Sequence, residues 1–284
     1  MEVNCEGCAG CCADWRSLAD GDVDGARRGD YRPLDDVYRL VALSRDDVRA
    51  LLDADLGDAM RPRLFTADEG VTVDGHTLAA VSGRPVFLVG LRKPPKPIAP
   101  VDADEASWLP ACVFLDPETL QCRVHEDDVY PSECGAFPGH NLALDVETEC
   151  ERVERERGGE RLLDDDPPDS LDALRLGPDA VGSKVFCYPD PDALAGVVDR
   201  LVAGDLTDDD RARFVGAAAA SAPGTAAVNR ERMAEARDRA RAADSWVGRA
   251  AADWGDRRGA DPDPSLGAAV EDARGAPPTP GWND

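Results

Sequence analysis

The sequence predicts an α+β protein in which a small cysteine-rich domain with short strands and helices precedes a helical region and a disordered tail. Three observations predict this order. All but one of the nine cysteines lie before residue 151, helical patterns dominate residues 191–252, and Gly, Pro and Asp dominate residues 253–284. We therefore expect a cysteine-bearing domain over 1–190, a helical region over 191–252 and a disordered tail over 253–284.

The first elements are a short strand and a helix. The apolar run VYRLVAL at 37–43 predicts a buried strand. Ser44 follows as a helix N-cap, and Asp47 three residues later forms the Asp version of a capping box. The helical face then consists of Val48, Leu51, Leu52 and Leu56.

A β-hairpin follows the first helix. The stretch 71–81 alternates around Asp74-Gly75, a dipeptide that strongly favours a two-residue hairpin turn. PVFLVGL at 85–91 predicts a further strand. The proline-rich stretch 92–100 is stiff and cannot be the centre of a strand, because proline lacks the amide donor.

The second half has a different character. Residues 158–190 are irregular, and 191–203, 207–221 and 226–252 predict three helices. Thr207 is a candidate cap for the second of them, and the acidic residues that follow suit the positive end of its dipole.

The charge balance excludes some partners. The 284 residues carry a net charge of −25, and only Lys93, Lys96 and Lys184 are lysines. This composition resembles that of proteins from salt-loving archaea, whose acidic surfaces stay hydrated in high salt. It argues against nucleic acid and anionic membranes, which require basic patches. Because no apolar run is long enough to span a bilayer and no signal peptide is recognisable, we expect a cytoplasmic protein.

The N-terminal cysteines are the strongest functional signal. Cys5, Cys8, Cys11 and Cys12 are separated by Glu, Gly and Ala, which do not form an apolar core. Disulfides are disfavoured in a reducing compartment, and a thioredoxin-like redox site expects a preceding strand. Buried structural thiols remain the ordinary reading of a single cysteine. Metal ligation is favoured, because C-x-x-C spacing lets two thiolates reach one ion.

A second cysteine group supplies further ligands. Two short strands are expected on either side of DPET, one carrying Cys112 and the other Cys122. Pro131 can open a short helix with Cys134 near its start, and Cys150 follows. Cys187 lies in an apolar setting and suits a buried thiol. The predicted zinc or iron ligands, with an Fe–S cluster as one form, are Cys5, Cys8, Cys11, Cys12, Cys112, Cys122, Cys134 and Cys150.

Eight thiolates suit two four-ligand sites or one cluster with spare thiols. Their negative charge requires compensation, for which Arg16 and Arg123 are the near candidates. His125 follows Cys122 and His140 follows Cys134 in the sequence. Each is a hydrogen-bonding neighbour of the cysteines or a metal ligand. His76, in the hairpin, reads as a surface residue.

These motifs resemble a known family. CEGCAGCC at 5–12, CVFL at 112–115, CRVH at 122–125 and YPSECGAFP at 130–138 are similar to the CxxCxxCC family of zinc- or iron-chelating domains, also called YkgJ-like cysteine cluster proteins. The order and gaps agree over roughly 1–150. The resemblance implies metal binding. Some relatives are Fe–S proteins or oxidoreductases, and a lysine methylase that acts on flagellin has a similar cysteine motif, so the resemblance also suggests a catalytic function.

The chain departs from the family pattern at several positions. Val113 stands where proline is usual, His125 where tyrosine is usual, and Tyr130 and Gly135 where arginines are usual. The loss of two arginines removes positive charge beside the thiolates. Cys150 lacks the Pro-Gly that often follows a further family cysteine.

Three functional hypotheses follow. The first is a metal-binding protein whose cysteines chelate zinc or iron. The second is an Fe–S-dependent oxidoreductase or group-transfer enzyme of methylase type. The third is a structural zinc module that contacts a protein partner through its C-terminal helices. The sequence leaves the metal, the number of sites and any substrate open, since all-thiolate sites suit both zinc and iron–sulfur.

Overall fold

A computed structural model describes residues 1–21, 23, 31–169 and 174–280. It confirms the α+β class. The central sheet is antiparallel in the order β10-β6-β3-β2, with β4 beside β3 and β5 beside β6. The strands of this sheet are β2 (Arg32–Pro33), β3 (Met60–Val73), β4 (His76–Leu78), β5 (Ala80–Val81), β6 (Arg84–Leu91) and β10 (Phe186–Cys187).

The predicted hairpin and the strand after it are confirmed. Asp74 and Gly75 both have positive φ, at 50° and 79°, which a two-residue hairpin turn of type I′ requires. Val73 pairs with His76 across the turn. The strand expected at 85–91 is β6, which pairs with β3.

The prediction of a strand at 37–43 is wrong. This segment contributes one isolated bridge, Ala42 to Gly90. Its backbone turns instead, because Arg39 has a φ of 47° and the Asp35 carboxylate accepts a hydrogen bond from the Val37 amide at 2.9 Å. The segment has the apolar composition of a strand, but local hydrogen bonds between side chains and backbone compete with sheet pairing.

The helix Asp208–Ala219 packs against the central sheet. The first helix, α1, has the predicted capping box, since Ser44 and Asp47 bond each other's backbone amides. The third predicted helix is split in two near residues 243–245. The helices are α1 (Arg45–Asp53), α2 (Ser132–Ala136), α3 (Gly139–Ala143), α4 (Glu149–Arg157), α5 (Val197–Ala203), α6 (Asp208–Ala219), α7 (Arg230–Ala242), α8 (Trp246–Arg257) and α9 (Pro264–Ala273).

One hydrophobic core crosses the boundary predicted at residue 190. The ring of Phe87 on β6 is fully buried and lies 5.0 Å from the ring of Phe214 on α6. Trp246 at the start of α8 packs 6.2 Å from Phe114. The helical region therefore completes the core of the first half.

Part of the segment 253–284, for which disorder was expected, is helical. Residues 264–273 form α9, which Asp263 caps by accepting from the Ser265 and Leu266 amides. Val270 and Glu271 of this helix are buried. The Gly, Pro and Asp content supplied a helix cap and a Pro at the first turn. Residues 281–284 lie outside the described part.

Two small sheets lie beside the central one. They are β1 (Glu2–Val3) with β9 (Leu162–Asp164), and β7 (Pro95–Ile98) with β8 (Ser107–Pro110). The prediction that residues 92–100 contain no strand centre is wrong, because β7 lies within them. β7 pairs with β8 in a two-stranded sheet, and prolines are tolerated in such an edge strand. Among the described helices, none has the length and apolar content needed to cross a bilayer.

Candidate functional site

All eight cysteines predicted as ligands line one cavity of about 1040 Å³. They come from five separate stretches of the chain. Cys187, the ninth cysteine, lies in β10 opposite Val86 and is not among the described residues that line the cavity. The structure thus gathers the eight thiols predicted as ligands, while the thiol assigned to the core lies elsewhere.

The N-terminal thiols are carried by a loop of tight turns. The Cys8 amide donates to the Cys5 carbonyl at 3.1 Å, and the Cys12 amide donates to the Ala9 carbonyl at 2.9 Å. Gly7 has a φ of +65°, and a Cβ there would lie 2.7 Å from a carboxylate oxygen of Asp102. A side chain at this position would be strained and crowded, so the glycine spacer is a geometric requirement of the loop.

Backbone hydrogen bonds tie this loop to the second cysteine group. The Cys112 amide donates to the Cys12 carbonyl at 2.8 Å, and the Asp14 amide donates to the Pro110 carbonyl at 2.8 Å. Ala13 and Ala111 form a bridge between them. Cys12 and Cys112 are therefore held side by side although a hundred residues separate them.

The loop between Cys112 and Cys122 is organised by Asp116. Its carboxylate accepts from the amides of Glu118 and Thr119, each at 2.9 Å. This closes the DPET turn, as Asp does in many turns. Two short strands were expected here, and the structure has one bridge, Leu115 to Cys122.

Cys134 lies on the short helix α2, which Pro131 precedes as predicted. Ser132 anchors this helix to α1, since its amide and hydroxyl donate to the Asp47 carboxylate at 3.1 and 3.0 Å. Asp47 also completes the capping box of α1. One carboxylate thus positions both the helix start and the segment that carries Cys134.

Cys150 lies in the first turn of α4, next to a buried carboxylate. Glu149 is 1% exposed and accepts from the Trp15 indole at 2.8 Å and the Tyr38 hydroxyl at 2.6 Å. It also pairs with Arg39 at 2.6 Å and Arg152 at 3.2 Å. This network fixes α4 against the N-terminal loop, because a buried carboxylate must be compensated by donors and cations.

The positive charges near the thiols differ from those expected. Arg123 pairs with Glu271 and Asp116, and it is not among the described residues of the cavity wall. Arg16 borders the cavity but is paired with Asp14 and Asp36. The wall instead contains Lys93, whose ammonium donates to the Cys11 carbonyl at 3.4 Å.

Lys93 and Arg161 act on the thiols electrostatically. Burial lowers the pKa of Lys93, while the neighbouring Cys12, Cys112 and Cys11 thiols raise it. Arg161 opposes the effect of burial on the pKa of Cys5 and Cys8. These cations partly offset the cost of forming thiolates in a chain of net charge −25.

Most of the thiols are held protonated by burial. Burial raises the pKa of Cys5 and Cys122 to about 12. Cys11 is different: a hydrogen bond from Cys12, whose sulfur is 3.7 Å away, lowers its pKa to about 7. Burial also raises the pKa of Cys8, Cys112, Cys134 and Cys150. A bound cation reverses this balance, since metal ligation requires the thiolate.

The sulfurs surround the cavity without converging on one point. In the part of the chain that the structure describes, the group of three or more candidate ligand atoms within 4.8 Å of one another is Asp164, Asp165 and Asp166, not a set of cysteines. Four sulfurs around one tetrahedral ion lie about 3.8 Å apart, given Zn–S bonds of about 2.3 Å. Closing such a site therefore requires rotation of thiol side chains.

The histidines separate into three positions. His125 borders the cavity, and its ring lies 4.9 Å from that of Tyr130. His140 is buried, and its Nδ1 lies 3.3 Å from a carboxylate oxygen of Glu133. His140 is not among the described residues that line the cavity. His76 lies 3.7 Å from Asp199 and is partly exposed. His125 alone is placed to approach a ligand in the cavity.

Sequence reasoning missed Lys93 and Glu149. Lys93 was visible as one of three lysines in a chain that otherwise uses arginine, and it lies at the start of the proline-rich stretch before Cys112. Glu149 carried no signal, because acidic residues occur throughout the chain.

Comparison with known proteins gives one match. A model described as a family of unknown function (DUF7531) covers residues 1–283. No curated protein and no solved structure matches the chain.

Proposed function

Because the chain belongs to the family of unknown function DUF7531, its own residues must indicate its chemistry, and we propose that it is a metal-binding protein whose cysteine cavity chelates zinc or iron. The single observation that carries the proposal is the gathering of eight thiols around one cavity. Thiols that served only as small apolar side chains would be spread through the core, as Cys187 is.

The donor set fits a soft metal. Thiolates select zinc, and they hold iron in iron–sulfur clusters. The cavity wall combines these donors with Lys93, which lowers the electrostatic cost of several thiolates. A zinc site with four thiolate ligands would have no open coordination position and would be structural, whereas an iron–sulfur cluster would supply electron transfer.

A second candidate is an Fe–S-dependent oxidoreductase or group-transfer enzyme. The cavity volume of about 1040 Å³ favours it, because small-molecule sites generally occupy about 300–1,000 Å³. Tyr38, Tyr130 and Glu133 contribute polar groups to the same wall. A purely structural zinc module needs no such volume.

Elemental analysis and a visible spectrum test the proposal on full-length protein purified without oxygen in high salt. We expect near-stoichiometric zinc or iron. Cys8→Ser should lower the metal content strongly, because Cys8 is a buried member of the cavity wall. Cys187→Ser is the matched control: its thiol is buried too but lies outside the described wall, so the metal content should stay unchanged.

The spectrum separates the two candidates. Zinc in a colourless sample would favour a structural chelating module, and iron with acid-labile sulfide and a brown colour would favour the redox or group-transfer enzyme. Absence of both metals from the wild-type protein, or an equal loss in Cys8→Ser and Cys187→Ser, would refute chelation by this cavity.

A further inference from the structure

We propose that the eight cavity thiols form two separate four-thiol metal sites, one of Cys5, Cys8, Cys11 and Cys150 and the other of Cys12, Cys112, Cys122 and Cys134. This inference rests on the proposed function and specifies it. It assigns each ligand to a site and makes Cys11-Cys12 the junction between them.

The first group is built on the N-terminal loop and α4. Cys8 belongs to a small hydrophobic cluster with Trp15, Val101 and Val153, apart from the main core. A Cβ at Gly10 would lie 2.7 Å from Val153 and 3.4 Å from the Cys8 sulfur, so these side chains flank the same point. Cys150 precedes Val153 by three residues on α4 and shares its helix face.

Cys5 joins the same group through the backbone. Its carbonyl accepts from the Cys8 amide at 3.1 Å, which closes the C-x-x-C turn. Arg161 lies beside this turn, because its guanidinium donates to the Glu6 carbonyl at 3.1 Å. The first group therefore has its own cation as well as its own hydrophobic support.

The second group is built on the main core. Cys112 is buried in that core, and Cys12 and Cys122 pack against it. The Cys112 amide donates to the Cys12 carbonyl at 2.8 Å, and the Leu115 amide donates to the Cys112 carbonyl at 3.0 Å. Leu115 in turn bridges to Cys122, so three thiols share one backbone network.

Tyr130 connects Cys134 to this second group. A Cβ at Gly135, the neighbour of Cys134, would lie 3.5 Å from the Tyr130 ring. The Tyr130 ring packs on His125, whose amide donates to the Cys122 carbonyl at 3.2 Å. Lys96 supports the segment that carries Cys112, because its ammonium donates to the carbonyls of Val113 and Leu115 at 3.0 and 2.6 Å.

Cys11 and Cys12 mark where the groups meet. Their sulfurs lie 3.7 Å apart. Cys12 is committed to the second group by its backbone bond with Cys112. Cys11 then completes the first group, whose other three thiols lie on the loop and α4. Adjacent cysteines thus serve two sites, which accounts for the doubled cysteine that ends the motif.

Titration with Co²⁺ under anaerobic, reducing conditions in high salt tests the division on the full chain. Co²⁺ takes tetrahedral thiolate sites and reports them by visible absorption. We expect two Co²⁺ per wild-type chain and one each for Cys5→Ser and Cys134→Ser. The double variant should take up none, and Cys187→Ser should keep two. Circular dichroism checks folding, and Cys150→Ser or Cys122→Ser replaces any variant that has lost its helical signal.

The outcomes are distinct. One Co²⁺ per wild-type chain, or loss of all Co²⁺ in a single variant, would overturn the division while leaving the proposed function intact. A wild-type chain that binds no Co²⁺ and contains no zinc or iron would overturn both.

Discussion

Glu271 compensates two buried cations at once. It is fully buried, and its carboxylate lies 2.5 Å from the Lys96 ammonium and 2.8 Å from the Arg123 guanidinium. Glu271→Gln leaves these charges with less compensation, and removing one partner of a buried pair costs about 3–5 kcal/mol. We expect the free energy of unfolding, measured by denaturant titration, to fall by that amount.

Two further variants make this prediction specific. Glu235→Gln, on the exposed side of α7, should change the free energy of unfolding by less than about 0.5 kcal/mol. Lys96→Met combined with Glu271→Leu removes both members of one pair and should recover part of the loss. A Glu271→Gln protein as stable as the wild type would show that these charges remain hydrated.

At the residue scale, the sequence predicted which cysteines lie together but not which charged residues contact them. The C-x-x-C spacing and glycine spacers of residues 5–12 are local features, and the apolar neighbours of Cys187 assigned that thiol to the core. The roles of Lys93 and Glu149 depend on contacts such as that between Trp15 and Glu149, which are 134 residues apart. No local pattern encodes such a contact.

At the element scale, Asp210 joins α5 to α6. Burial alone would raise its pKa, but hydrogen bonds from Arg200, both at 2.7 Å, and from Thr207 outweigh burial and lower the pKa to about 2. Because the folded-state pKa lies below the ordinary value of 3.8, the stabilisation is present above pH 4 and is lost as the pH falls towards 2. We expect Asp210→Asn to lose about 2 kcal/mol at pH 7.

The matched control is Asp209→Asn, one residue earlier in the same helix turn. Asp209 is partly exposed and pairs with Arg213 at 2.8 Å, so its removal should cost less than about 1 kcal/mol. Denaturant titrations at pH 7, 5 and 3 should show the gap between Asp210→Asn and the wild type narrowing as the pH falls. A gap that stays constant with pH would show that the ionised carboxylate is not its source.

Elements with local signals were predicted and those set by distant contacts were not. The capping box at Ser44 and the turn at Asp74-Gly75 are encoded within a few residues, and both are present. Residues 37–43 have the apolar content of a strand, but Arg63 pairs with Asp35 at 2.7 Å beside them and the segment turns. Helix α9 forms in a disorder-like composition because Glu271 meets Lys96 and Arg123.

At the scale of the whole molecule, a net charge of −25 predicts that salt stabilises the fold. The Debye length falls from about 30 Å at 0.01 M salt to about 10 Å at 0.1 M, so repulsion among unpaired acids is screened over that range. Salt also weakens surface ion pairs, but each contributes about 1 kcal/mol or less. Because the acidic residues far outnumber the basic ones, the gain from screening their repulsion exceeds the loss from weakened ion pairs. The melting temperature should therefore rise with NaCl.

A charge-removing variant separates screening from other effects of salt. Asp165 and Asp166 are adjacent, exposed and part of a cluster with Asp164. Asp165→Asn with Asp166→Asn should raise the melting temperature at 0.01 M NaCl and leave it nearly unchanged at 1 M, where the Debye length is about 3 Å. Sucrose does not screen charge and should not abolish the difference between the two proteins. An equal gain at both salt concentrations would mean that local structure around these residues, and not the charge of the whole molecule, sets the effect.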